Sequence, residues 1–188
     1  MNADTLELQA MCDAVPNGIV DLKGRTFWIH SLRLGPPYHR NLELINGNLI
    51  TYSDKNLASK RYGVVELCKN QTWRGRTYSD ESFSVKFTNI GFYGGQTKWS
   101  DDFLLNYETL GKEQGFSVHG ISAINGSRVD NAIIVGCTFD TLHEGAMLMS
   151  TINSKIRDCK FRRISGTCAG YLTTIKDLPV ARHHDIYR

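Results

Sequence analysis

The chain has 188 residues, 41% of them hydrophobic and 22% charged, with a net charge of +3. That length fits one domain able to bury a continuous core, and the small charge gives no reason to expect nucleic acid, since Lys and Arg are scattered and no basic run interleaves with aromatics. No stretch of about 18 apolar residues occurs, so no membrane-spanning helix and no membrane insertion is expected.

The start, MNADTLELQAMCDAV, lacks the basic opening and apolar run of a secretory signal. Either the protein is made and kept in the cytosol, or the segment is an excised part of something longer. Five cysteines, Cys12, Cys68, Cys137, Cys159 and Cys168, make an odd count without CxxC or Cys/His pairing. That pattern argues against a disulfide framework and against a zinc site; no metal and no cofactor is expected.

Residues 4–15 read as a short amphipathic helix. Asp4 followed by Glu7 resembles a capping box, and Leu8, Met11, Cys12 and Val15 fall on one apolar face. Pro16-Asn17-Gly18 ends the helix. From Ile19 onward the texture changes to short β-branched and aromatic runs punctuated by Gly and Asn.

A nine-residue motif then recurs four times: NLELINGNL from Asn41, SVKFTNIGF from Ser84, NAIIVGCTF from Asn131 and NSKIRDCKF from Asn153. The last two copies start 22 residues apart, and Ile134/Ile156, Cys137/Cys159, Phe139/Phe161 and Leu142/Ile164 keep that offset. Between the copies lies a second strand, mostly led by Gly: GVVEL at 63–67, GISAI at 120–124, GAMLM at 145–149 and the weaker AGYLT at 169–173. Strict alternation of two strand types at a fixed period is what stacked coils require, each strand pairing with its equivalent about 4.8 Å away.

Within the motif, Ile134, Cys137 and Phe139 are expected to point inward. Ile133, Val135 and Thr138, above Lys155, Arg157 and Lys160, are expected to point outward. The alternation breaks at Gly136 and Asp158, which marks a bend where Gly or Asn tolerates a left-handed backbone, and Asn46 and Asn89 stand at the equivalent places. Cys137 and Cys159 read as a ladder of small reduced hydrophobes, with a disulfide between them as the alternative.

A hexapeptide solenoid, a leucine-rich repeat and a β-sandwich each lack their sequence signatures here. The fold expected is therefore all-β, a parallel β-helix of about five coils in a single domain, 1–188, with coils over 19–174 and a C-terminal extension over 175–188. The helix at 4–15 would cover the open end of the stack.

Two insertions break the spacing, 69–83 and 93–119, and on a stacked fold such insertions gather on one face. They hold Trp73, Arg74, Tyr78, Tyr93, Trp99 and Tyr107, and aromatic rings on polar loops suit sugar stacking. Trp73, Arg74, Tyr78, Trp99 and Tyr107 are the candidate substrate-binding residues; the competing expectation is that Trp73 and Trp99 pin the loops to the scaffold. Asp80, Glu81, Asp101, Asp102, Glu108 and Glu113 supply carboxylates, and glycoside hydrolysis needs two. A second cluster, Asp140-Thr141-Leu142-His143-Glu144, could hold an acid/base pair. Arg162 and Arg163 stand one coil on from Asp140 and Thr141, and an inter-coil salt-bridge ladder is the competing expectation. Asp101, Asp102, Asp140 and Glu144 are the catalytic candidates. His183-His184-Asp185 could bind a metal or act in a neighbouring coil, or form only an unstructured terminus.

The entry Ala3-Asp4-Thr5-Leu6 through Pro16-Asn17-Gly18, followed by Val20-Asp21-Leu22-Lys23-Gly24-Arg25-Thr26, resembles the start of the β-helix domain in phage tailspikes and related pectate-lyase-like proteins. The later GAMLM and NSKIRDCKF cadence is similar to their coils. The resemblance implies a right-handed parallel β-helix, a homotrimer, and a glycan depolymerase of glycoside hydrolase type that binds and cleaves a capsule or O-antigen polysaccharide. It also implies a place on the virion tail after assembly in the host cytoplasm, with an extracellular location as the alternative. The signatures NTD, GHG and RIK of polygalacturonases are absent, so no catalytic residue transfers by motif. Two other activities stay open: a polysaccharide lyase, for which Asp101-Asp102 is the only adjacent carboxylate pair in the long loop, and a non-catalytic stem or adhesin.

Overall fold

A computed structural model of the chain describes residues 3–51, 62–73, 75–94, 118–123, 129–142, 144–148, 151, 153–164, 168–170 and 185–186. It is built mostly of β-strands with one short helix. Helix α1 (Ala3–Asp13) buries Thr5, Leu8 and Cys12 on one face. The strands are β1 (Asn17–Asp21), β2 (Thr26–Ile29), β3 (Leu32–Leu34), β4 (Asn41–Thr51), β5 (Tyr62–Leu67), β6 (Gln71–Trp73), β7 (Arg76–Tyr78) and β8 (Ser84–Tyr93). They continue with β9 (Val118–Ser122), β10 (Asn131–Val135), β11 (Thr138–Leu142), β12 (Glu144–Met147), β13 (Lys155–Arg157), β14 (Lys160–Ile164), β15 (Ala169–Gly170) and β16 (Asp185–Ile186).

The long sheet runs β1-β4-β8-β10-β13-β16, with β2 on β4, β11 on β8 and β14 on β11; the second sheet runs β3-β5-β9-β12-β15. Every pairing in both sheets is parallel. The chain visits the long sheet and then the second sheet, level after level, so the two recurring sequence motifs are the two sheets. The 22-residue offset is their register: Ile134 pairs Ile156, Phe139 pairs Phe161 and Leu142 pairs Ile164.

Like residues stack because the register is kept. Phe92 stacks on Phe139 at 4.8 Å, and Phe139 on Phe161 at 5.0 Å, with rings nearly parallel; Phe87 meets Phe92 edge-on at 5.5 Å. Each such pair adds about 0.5–1.5 kcal/mol beyond the area it buries. Cys137 and Cys159 are both free thiols, and Cys137 donates to the Phe87 carbonyl at 3.6 Å.

The inner row changes parity at one place in each level. Asn46, Asn89, Gly136 and Asp158 have φ of 57°, 55°, 64° and 56°, as the sequence pattern predicts. Asn89 Nδ2 donates to Asn46 Oδ1 at 3.5 Å, and Asn46 Nδ2 donates to Asp21 Oδ1 at 3.3 Å, so the bends are tied to one another. At the fourth level the bend is a glycine, and a Cβ there would lie 2.6 Å from Asn89 Oδ1. A second left-handed column, Thr141 and Arg163 at φ 54° and 47°, carries no glycine or asparagine signal and is not expected from sequence.

Helix α1 covers the first level through its polar side chains. Asp4 Oδ2 accepts from Trp28 N at 2.8 Å, Thr5 Oγ1 from His30 N at 3.0 Å, and Gln9 bonds both Arg33 N and Arg33 O. These backbone groups lie on β2, on β3 and between them, and the helix supplies them with partners. The expected capping box is replaced: Asp4 serves the sheet edge and Glu7 pairs with Arg25 at 2.8 Å.

The insertion 69–83 is also corrected. It contains the antiparallel hairpin β6–β7, packed against the end of α1. Arg76 holds Asp13 through two bonds of 2.8 and 2.9 Å and lies over the Tyr38 ring at 4.0 Å. Buried His39 places Nε2 3.1 Å from Asp13 Oδ1, outside hydrogen-bonding alignment, and its Nδ1 faces Gly35 N and O. Burial holds His39 below its ordinary value, and attraction to Asp13 only partly offsets it. For Asp13 burial pushes upward, but hydrogen bonds from Arg76 and Gln9 win and its carboxyl sits low.

Two outcomes test this frame. Asn89→Val places a branched side chain in the left-handed region and should cost about 1–2 kcal/mol in urea unfolding, whereas Asn89→Gly should stay within a few tenths. Both His39 and Asp13 are depressed in the folded state, so the unfolded chain binds protons first on acidification. Stability should be full above pH 6.5 and decline below it, with a further decline below pH 3.8, and His39→Gln should remove the first step.

Candidate functional site

The long sheet has an outer face that the alternation of side chains lays out in columns. Phe27, Leu49, Phe92 and Phe139 point into the core, so their neighbours Trp28, Ile50, Tyr93 and Asp140 face outward, with Arg162 at the next level. Trp28, Ile50 and Tyr93 are half-buried and Arg162 is exposed. Tyr93 lies across the strand over Gly91, where a Cβ would run into its ring and into Asn48 Oδ1. A glycine in mid-strand thus makes room for an aromatic ring laid along the sheet surface.

Before the bend, the same face opens into a groove of about 250 Å³ lined by Ile19, Asn41, Glu43, Lys86, Asn131 and Ile133, among others. Ile19 is 60% exposed. Glu43 takes Lys86 Nζ at 2.9 Å and Thr88 Oγ1 at 2.8 Å. Burial pushes the Glu43 carboxyl up, but those two donors outweigh it and hold it low. Asn131 Nδ2 donates to Ser84 Oγ at 3.0 Å along the groove floor. The arrangement offers apolar patches beside fixed polar groups over several levels, which is chemistry for holding a long polar ligand with apolar faces.

Asp140 sits at the edge of this face with its side chain nearly buried. Arg163 Nε and Nη2 reach its two oxygens at 2.7 and 2.8 Å, and Thr141 Oγ1 donates at 3.1 Å. The Arg163 hydrogen bonds, with the guanidinium charge, hold its carboxyl below the usual range against the opposing effect of burial. A carboxylate fixed in a bidentate pair stays ionised and is poorly suited to give up a proton as a general acid. A salt bridge between β11 and β14 is thus the arrangement found here. Glu144 belongs to the other sheet, on β12, where its backbone pairs in register with His119.

Tyr78 is a correction to the expected sugar-binding set. It is 2% exposed, and its ring meets Tyr38 edge-on at 5.7 Å, so it is core beneath the hairpin. Burial raises its hydroxyl pKa well above the ordinary value. Trp73 lies on β6 opposite Arg76. Arg74, Trp99, Asp101, Asp102 and Tyr107 lie outside the described residues, as do Glu108, Glu113, His143, His183 and His184. Trp28 and Ile50 were not among the expected site residues; their signal is parity alone, each standing next to an inward Phe or Leu. Among the described residues, no three His, Cys, Asp or Glu side chains come together to hold a metal ion.

Removing Arg163 leaves Asp140 with its main partner gone in a nearly buried place. Arg163→Ala should cost about 1–3 kcal/mol in denaturant unfolding at neutral pH and shrink the stability lost on acidification below pH 3.8, since Asp140 is no longer held low by Arg163. Comparison with protein-family models, with curated proteins and with solved structures found no match.

Proposed function

We propose that the chain is a right-handed parallel β-helix of about five coils that binds an extended bacterial surface polysaccharide along the outer face of its long sheet, as a phage tailspike-like protein. The observation that carries this reading is the outward row Trp28, Ile50 and Tyr93, repeated over adjacent levels beside the groove of Asn41, Glu43 and Lys86. Sugar rings present apolar faces and hydroxyl edges alternately. Aromatic rings serve the faces, and the fixed amide and carboxylate groups serve the edges.

In this reading Asp140 and Arg163 support the wall of the site, and cleavage falls to two carboxylates among Asp101, Asp102 and Glu144, the number that glycoside hydrolysis needs. A homotrimer on the virion tail is the assembly that goes with it. A non-catalytic stem or adhesin is the second reading, favoured by the engagement of Asp140 with Arg163.

Incubation with a panel of capsular and O-antigen polysaccharides, followed by affinity measurement and a reducing-end assay, tests both parts. Trp28→Ala and Tyr93→Ala should each weaken binding about tenfold, or roughly 1.4 kcal/mol. Reducing ends that disappear in Asp101→Asn or Glu144→Gln, with binding kept, would support cleavage. Binding without any new reducing ends would leave the adhesin reading, and no binding to any polymer would overturn the proposal.

A further inference from the structure

The fifth level of the long sheet differs from the others in charge. Residues 155–163 hold five cations and one carboxylate, a local charge of +4 against +3 for the whole chain. Lys155 and Arg157 lie on β13, Lys160 and Arg162 on β14, and all four are exposed. Ile156 between the first two is 1% exposed, so the cations occupy the outward positions and Ile156 the inward one. Alternate residues of a strand stand about 7 Å apart, which spaces Lys155 from Arg157 and Lys160 from Arg162, one pair on each side of the bend at Asp158.

Charges on neighbouring levels are matched at several places. Glu43 meets Lys86 at 2.9 Å and Arg33 meets Glu66 at 2.9 Å, and at the fifth level itself Arg163 meets Asp140 at 2.7 Å. The line breaks that pattern. In register beneath Lys155, Arg157 and Lys160 lie Ile133, Val135 and Thr138, which carry no charge. None of the four cations has an ion pair among the described residues. The nearby acids are Asp158, at the bend, Asp140, already held by Arg163, and Asp185, beside Lys155 in register. Arg157, Lys160 and Arg162 therefore carry the argument furthest.

We propose that this line binds the acidic groups of a linear, carboxylate-bearing polysaccharide whose neutral stretches lie on the Trp28–Ile50–Tyr93 row; the inference rests on the glycan-binding reading and adds the charge of the polymer. An extended polyanion fits because exposed cations follow one another along β13 and β14 on the outer side of the sheet, contiguous with the row through Tyr93, Asp140 and Arg162. Arginine offers paired donors to a carboxylate, as Arg163 does to Asp140. A duplex nucleic acid presents phosphates on a curved helix and is served by basic groups over a broader surface.

The test compares the whole chain with Arg157→Gln/Lys160→Gln/Arg162→Gln against alginate, carboxyl-reduced alginate, dextran and duplex DNA. Alginate should bind most tightly, lose at least tenfold on carboxyl reduction or in the triple variant, and weaken steeply with salt. The variant should melt no lower than the parent, since the substitutions relieve like-charge crowding. Equal binding of alginate and its reduced form would overturn the inference and leave glycan binding standing. Failure to bind any of the three glycans would overturn both, and DNA binding as tight as alginate would reassign the line to nucleic acid.

Discussion

The left-handed bend placed at the same point of each level is the constraint on which the stack depends. A parallel sheet keeps its register only if successive strands turn in the same place, since one residue of slip sends the inward set outward. Asn46, Asn89, Gly136 and Asp158 take the same φ within 10° of one another, and the side chains of Asp21, Asn46 and Asn89 are bonded along the column. Once the bend is fixed, Phe92, Phe139 and Phe161 have to stack, and the groups beside them have to form outward rows. The candidate site is a consequence of this geometry: any chemistry on the face is repeated at the spacing of the strands.

The first and fifth levels of the stack differ in how their polar groups are partnered. At the first level, the polar side chains of α1 satisfy backbone groups at the sheet edge, and the Asp13–Arg76 pair fastens the hairpin to the helix end. A buried His39 beside this pair links the junction to pH through desolvation. Farther along the stack, β13 and β14 carry cations that have no ion pair among the described residues. Inter-level pairs such as Glu43–Lys86 show that the fold readily neutralises charge between levels, so this line of cations is, among the described residues, where a ligand of opposite charge has most to gain.

The strands, their alternation and the bend column were legible in the sequence because Gly, Asn and Asp at the same place in each motif leave a backbone signal, and because 22 residues separate like from like in the last two copies. Thr141 and Arg163 were not legible, since neither residue type marks a left-handed position. The hairpin in 69–83 had a signal in Gly75, at φ 79°, that the polar composition around it obscured. The burial of Tyr78 is hidden for the same reason: its sequence neighbours are polar, while its ring packs under Arg76 and Tyr38. The cations of β13 and β14 looked scattered because they alternate with Ile156, Cys159 and Phe161, and only strand parity brings them to one face.

The central claim is that the outer face of the long sheet, and not the edge or the core, receives the glycan. Nuclear magnetic resonance of the whole chain during titration with an alginate oligosaccharide tests it directly. The account predicts that the Trp28 indole, the Tyr93 ring and the Arg157 and Arg162 side-chain signals shift together with one affinity, while the Phe92 and Phe139 rings stay in place. Shifts confined to the second sheet or to the Asp13–Arg76 junction, with Trp28 and Tyr93 unmoved, would contradict it.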